Sequence, residues 1–435
     1  MLLNNLKTSC PRLSHARGLV SFTTVLGCLY CLPVQAIEFA GSANLNSEYT
    51  SNTLRTEDSE IGEWIHQPGF AISASQDSTS WSLDAHYRYL RRLYQKDFWD
   101  NESITTGTGS ARWFALPQRL DFFVSHTRSE SSISARQVQT RDNRQVVSST
   151  QAGSTLRFHP GGNIDSLQFQ YAYEDTQSSN TQTGSKRHSG TVNYTALTWP
   201  TSSIQMRATH SDINYTGIFP DANTTIATLI YSKTIRKFSG SLTFGHNWYD
   251  RDDRGKTDDS TYDVVFLWRN SENSRLELNA SHAIVDRSTN LSGNPDSVNE
   301  NTGVNAAFNE TRGRLSYTQK WGRTSLTLGM DWAKQEYAAD VPLDNERIGL
   351  SLGLSRELTR STSVSFDTNL GKRDFIDQGD EQDDIRVRFR VNHEIGPTIS
   401  FNWGLNYMQQ KSTSTNSFDE WRVTIALRYT FLGAR

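Results

Sequence analysis

Arg386, Arg388 and Arg390 recur at every second position, the spacing that sets three guanidinium groups on one face of a β-strand. A guanidinium keeps its charge and presents its N–H donors as a planar fork, so such a row attracts carboxylates, sulfates and phosphates. Arg422 and Arg428 share the polar phase of a later segment, and Arg312 and Arg314 that of an earlier one. Lining a water-filled channel, these seven side chains would draw in and guide anions, acidic polysaccharide included, because a low-dielectric wall focuses the field. They could instead pair with carboxylates such as Asp367 and merely stiffen the wall.

Other chemistry-bearing residues read more plainly. Asp250, Asp252, Asp253, Asp258 and Asp259 crowd one stretch, and Asp374, Asp377, Asp380, Glu381, Asp383 and Asp384 another. The first departs from a calcium-binding EF-hand loop, since Arg254 and Thr261 stand where the fifth and twelfth ligands belong. Both are expected to be solvated outer loops. His126, His210, His246 and His282 each end an apolar phase, which suits an interfacial girdle better than a shared metal or phosphate site. Thr209-His210-Ser211-Asp212 gathers hydrolase residue types, but strand neighbours point to opposite faces, so His210 and Ser211 diverge. With no phosphate loop, nucleophile elbow or metalloprotease helix, no catalytic residue, metal or cofactor is expected.

The elements that must carry these residues have period two. Trp81, Leu83, Ala85, Tyr87 and Tyr89 alternate with Ser82, Asp84, His86 and Arg88. Ile348, Leu350, Leu352 and Leu354 repeat the pattern, as do Trp421, Val423, Ile425, Leu427, Tyr429 and Phe431. Strands with one apolar and one polar face, continued to the end of the chain, define an all-β, antiparallel transmembrane β-barrel with a wet interior. Nine tight turns, Pro117-Gln118 and Trp321-Gly322-Arg323 among them, pair eighteen strands. A first strand near 37–47 and a last near 421–431 raise the count to about twenty, with eighteen as the alternative. Longer polar stretches at 129–147, 250–259, 286–301, 373–383 and 410–419 would be extracellular loops, and the tight turns would be periplasmic. A soluble β-sandwich would also alternate, but its polar inner faces could not form a dry core.

Residues 1–36 read as a secretory signal: Lys7, Arg12 and Arg17, an apolar stretch over 18–32, and Val34-Gln35-Ala36 at the cleavage site. The barrel would occupy 37–435, in the outer membrane of a bacterium. All three cysteines, Cys10, Cys28 and Cys31, fall in the signal, which removes disulfide, zinc-finger and thiol-nucleophile chemistry from the rest. The chain carries 44 basic and 47 acidic residues, and loss of three basic ones leaves it more negative still, contrary to what a nucleic-acid binder requires. Hydrophobic residues make up only 35%, too few for a bundle of membrane helices, whereas the 11% aromatic content argues against disorder. Lipid of the outer membrane is the one partner that the pattern requires.

Glu48-Tyr49-Thr50-Ser51-Asn52, expected in the first outer loop, and Pro68-Gly69-Phe70-Ala71-Ile72, in the second strand, resemble the exosortase-associated (PEP-CTERM system) outer-membrane β-barrel family. Ser51 stands where that family often has Asp. The resemblance implies a bacterial outer-membrane barrel associated with exopolysaccharide export or envelope assembly. It carries over no catalytic residue.

Overall fold

The computed structural model describes residues 37–432, except 58–59, 97, 134–139, 162–163, 180–183, 217–219, 253–254, 286–307, 338–343, 378 and 414–416. The signal segment with its cleavage site, Asp253, Arg254 and the 286–301 stretch therefore lie outside the described residues.

Twenty strands follow one another, and among the described residues there is no helix. The first five are β1 (Glu38–Thr50), β2 (Glu63–Asp77), β3 (Trp81–Tyr94), β4 (Glu102–Leu116) and β5 (Leu120–Ser132). Next come β6 (Arg144–Phe158), β7 (Ile164–Ser178), β8 (Gly184–Trp199), β9 (Ser202–Tyr215) and β10 (Ala222–Ile235). They are followed by β11 (Phe238–Arg251), β12 (Gly255–Ser271), β13 (Ser274–Val285), β14 (Phe308–Trp321) and β15 (Thr324–Tyr337). The chain ends with β16 (Asn345–Glu357), β17 (Thr362–Phe375), β18 (Asp380–Glu394), β19 (Ile399–Ser412) and β20 (Phe418–Leu432). Each strand pairs antiparallel with the next, and β1 pairs with β20 from Gly41↔Leu432 to Thr50↔Arg422, so the sheet closes and leaves no edge.

The turns fall where Pro, Gly and short polar residues predict them. Pro117 sets the bend between β4 and β5 with Gln118 at φ +62°, and Gly322 at φ +54° reverses β14 into β15. The register assigns the two faces. On β11, Leu242 and Phe244 are 51% and 62% exposed and face lipid, while Ser241 and Thr243 face the lumen beside Val265 and Asp263 of β12. Among the described residues no dry core fills the barrel through the membrane band; the inward faces there are mainly Ser, Thr, Asn, Gln and charged residues.

Three expectations are corrected at the loop end. Strands run 12 to 17 residues, so Asp250, Asp258 and Asp259 lie on β11 and β12, and Asp374, Asp380, Glu381, Asp383 and Asp384 lie on β17 and β18. Only 252–254 and 376–379 connect these pairs, and the 129–147 and 410–419 stretches shrink in the same way. Likewise Glu48, Tyr49 and Thr50 belong to β1, and only Ser51 and Asn52 start the loop. The physical reason is length. A fourteen-residue strand spans roughly 45 Å, or about 35 Å upright once tilted, against a hydrocarbon band of about 25 Å, so the wall continues into water.

Above the membrane the wall reverses its polarity. Tyr94, Tyr249, Phe308, Tyr337, Phe375 and Phe418 occupy the inward phase and are buried, while Asp250, Glu336, Asp374 and Asp419 alternate with them on the outward side. Water now lies outside, so the outward face turns polar and the apolar rings turn in. Phe308 and Tyr337 pack with ring centroids 4.9 Å apart. Tyr249 packs with Ala222, Tyr215 and Ile284 in a second local apolar cluster of this inner collar.

Candidate functional site in the lumen wall

The register sets all seven sequence-selected arginines on the inward phase. It gathers only some of them. On β18, Arg386, Arg388 and Arg390 stand opposite Asn369, Asp367 and Ser365 of β17 and Met408, Asn406 and Gly404 of β19. Asn406 in turn faces Arg422 of β20, so Arg388 and Arg422 share one hydrogen-bonded row, two strands and roughly 10 Å apart. Arg428 lies nearer the turn end, between Asn44 and Ser400. Arg312 and Arg314 are on β14, four strands from β18, and form a separate group.

Carboxylates answer part of this charge. Arg390 Nη2 donates to Asp367 Oδ2 at 2.9 Å, the wall-stiffening pair anticipated for Asp367. Arg422 meets Glu420 at 2.7 Å and Glu48 at 3.2 Å. Arg312 pairs with Glu310, whereas Arg314 stands beside Asp331, whose carboxylate is taken by Arg347 at 2.9 Å. Among the described residues Arg386, Arg388, Arg314 and Arg428 make no ion pair. The β18 row therefore presents two guanidinium groups to the lumen without an ion pair, with Asp384 beside Arg386 on the same face.

The loop between β1 and β2 adds a cation that strand periodicity could not reveal. Arg55 is buried, with Nε 3.1 Å from Glu420 Oε2 and its guanidinium 5.6 Å from the Phe418 ring centroid. Thr50 Oγ1 donates to the same carboxylate at 2.5 Å. Asn52, fully buried, donates through Nδ2 to the carbonyls of Thr56 and Asp419. Arg55 takes φ +54°, a left-handed conformation that a non-glycine residue holds only when its surroundings impose it. Burial, and after it the charge of Arg422, pulls the Arg55 guanidinium down to about 10 despite the attraction of Glu420. The start of this loop is thus tied to β20 over the arginine row.

A second network crosses β3 to β6 near the loop end. Arg92 donates to Glu102 at 2.9 Å and to Glu130 at 2.8 Å, and Arg144 reaches Glu102 at 3.2 Å. Here β4 parts from β5 beyond Gly107, whose φ is +154° and where a Cβ would lie 2.3 Å from the His86 carbonyl oxygen.

The other candidates resolve as follows. His126 bonds Tyr87 Oη at 2.7 Å, His246 packs 4.6 Å from Trp248, and His282 stacks on Tyr262 at 5.3 Å, each on the outward phase. His210 also faces outward, 2.8 Å from Thr225 Oγ1, while Ser211 is buried on the opposite face, so no catalytic pair forms. Among the described residues no group of three His, Cys, Asp or Glu is placed to hold a metal ion.

A third region of the wall bears amides and hydroxyls around a single charge, Arg207. A concavity of about 440 Å³ opens on β7, β8 and β9, lined by residues that include Gln168, Gln170, Thr191, Asn193, Gln205 and Arg207.

No family model matches the chain, and no curated protein sequence matches it. Among solved structures it is similar to the FrpB iron transporter from Neisseria meningitidis (F5-1 variant), with 10% identity over 91% of this chain and 82% of that one and a TM-score of 0.52. It is also similar to the ferric enterobactin receptor PfeA of Pseudomonas aeruginosa, in a mutant form, with 9% identity over 91% and 80% of the two chains and a TM-score of 0.51. At this identity the likeness concerns the fold: a closed antiparallel barrel of the outer-membrane kind.

Proposed function

We propose that this chain is a bacterial outer-membrane barrel that acts as a passive conduit for anionic solutes, with acidic polysaccharide as the substrate class and exopolysaccharide or envelope biogenesis as its setting. The observation that carries this reading is the β18 row, in which Arg386 and Arg388 face the lumen without a carboxylate within ion-pair distance among the described residues. Toward the loop end Arg422 and Arg55 are balanced by Glu48 and Glu420, so the unpaired charge is concentrated on β18. Anions entering a wall of this kind are concentrated by its field. The motifs at 48–52 and 68–72 support membership of the exosortase-associated barrels and hence the polysaccharide setting.

Refolded protein in planar bilayers tests it. We expect channels selective for anions, and a loss of that selectivity when Arg386, Arg388 and Arg390 are all changed to Ser. Absence of conductance, or selectivity indifferent to the triple change, overturns it.

One observation favours a second reading, a surface-interaction barrel without transport. Arg55 and Asn52 fix the β1–β2 loop to the top of the neighbouring strand β20, as a rigid outer binding surface requires. That reading expects no conductance, and an envelope phenotype that follows deletion of residues 53–61.

A further inference from the structure

The concavity on β7, β8 and β9 is an ordered grid. In register, Gln168, Asn193 and Arg207 form one row across the three strands. Gln170, Thr191 and Thr209 form the next, and Ser166, Thr195 and Gln205 a third. Rows repeat about every 6.7 Å along the strand and columns about every 4.8 Å across it, so nine polar side chains tile one shallow surface. One of the nine is charged, and its guanidinium is held against the wall: Arg207 Nε donates to Asn193 Oδ1 at 2.7 Å.

This surface differs in kind from the arginine wall. A guanidinium only donates, and a carboxylate only accepts. A carboxamide does both, as does a hydroxyl. Sugar hydroxyls likewise donate and accept at one atom, and carry no charge that would repay burial against an ion. Thr191 and Thr209 already bond each other at 3.1 Å, and Gln205 bonds Thr195 at 3.3 Å, which ties the β8 column to the β9 column. Gln168 and Gln170 make no side-chain hydrogen bond among the described residues, so their amides are free to meet a solute. In a closed ring of twenty strands, β8 and β18 are ten apart in either direction, so this grid faces the arginine row across the lumen.

We propose that the β7–β9 grid is a saccharide-binding site, which takes uncharged, hydroxyl-rich sugar residues through paired hydrogen bonds from Gln168, Gln170 and Asn193. The opposing arginines take carboxylates, so the two walls together suit a chain that carries both. The biological use of the site rests on the conduit reading; binding itself does not require an open pore.

The test uses the refolded full chain, its folding checked by heat-dependent migration on gels. Saturation-transfer NMR is run with neutral hexasaccharides of glucose, mannose and galactose, on the natural chain and on a triple variant, Gln168→Ala, Gln170→Ala, Asn193→Ala. We expect at least one hexasaccharide to bind, and roughly tenfold or greater weakening in the folded triple variant, since three hydrogen-bonding side chains are lost. Binding by none of the three sugars, or equal binding by the triple variant, overturns the proposal. Binding that depends on the grid in a protein without conductance upholds the site and sinks the conduit.

Discussion

The guanidinium of Arg55 and the carboxylate of Glu420 lie 3.1 Å apart across 365 residues of chain, in a buried pair that joins the first loop to the last strand. The pair is unequal. Glu420 also receives Arg422 at 2.7 Å and Thr50 at 2.5 Å, so one carboxylate serves three donors. Glu420→Gln removes the charge they share and should cost about 3 kcal/mol or more, read as a lowered urea midpoint in vesicles. Arg55→Met leaves Glu420 still answered by Arg422 and should cost about 1 kcal/mol or less. Equal losses would remove the asymmetry.

The same pair has a signed response to pH. With its proton held only to about 10 in the packed loop, well below the ordinary guanidinium range, Arg55 binds fewer protons packed than released. The packed loop therefore gains stability as pH rises above about 10, and has no such gain below. A spin label placed by Thr56→Cys should be no more mobile at pH 11 than at pH 8. Increased mobility that Arg55→Met abolishes would reverse the sign.

Selectivity should follow the charge of individual lumen residues. Asp367→Asn frees Arg390 and should raise anion over cation permeability, whereas Arg388→Ser should lower it. Reversal potentials in a salt gradient decide both. Each effect should shrink at 1 M salt, where the screening length is about 3 Å rather than about 10 Å at 0.1 M.

The assignment of faces makes a sharp comparison on β16. Leu350 is 51% exposed on the lipid side, and Ser351 faces Asn369 and Gly329 on the lumen side. Leu350→Arg should cost about 2 to 4 kcal/mol and Ser351→Arg close to nothing, measured by urea unfolding from bilayers. A reversed ranking would invert the barrel wall.

Gly107 should not tolerate a side chain. At φ +154° with the His86 carbonyl 2.3 Å from any Cβ, Gly107→Ala forces β3 and β4 apart at the point where β4 leaves β5. A loss of about 1 to 3 kcal/mol is expected, with a lower yield of folded protein. Gly190 has no atom within 4 Å of such a Cβ, and Gly190→Ala serves as the silent control.

Period two made the wall legible in the sequence. The rows ending in Phe431 and Leu354 face lipid as expected, all seven arginines occupy the lumen phase, and the tight turns count out twenty strands. Alternation says which face a residue takes but not which solvent bathes that face at each height. Phe308, Phe375 and Phe418 were therefore illegible as an inner collar, and the acidic runs around Asp258 and Asp383 read as loops when they lie on strands that continue into water. Arg55 had no periodic signal at all. Its role depends on where a loop falls once β1 meets β20, a contact between the two ends of the barrel that local pattern does not encode.

Nineteen of the twenty strand pairings join segments that are neighbours in sequence, so most can form as hairpins soon after their strands are made. The closure of β1 on β20, from Gly41↔Leu432 to Thr50↔Arg422, is different in kind. Bringing together ends so far apart costs roughly 2 kcal/mol more loop entropy than closing a hairpin of about thirty residues. It repays nothing until the strands meet. The seam is thus the natural last step of assembly, and Glu420, with donors from β1, from its own strand and from the first loop, sits where that step must be made irreversible.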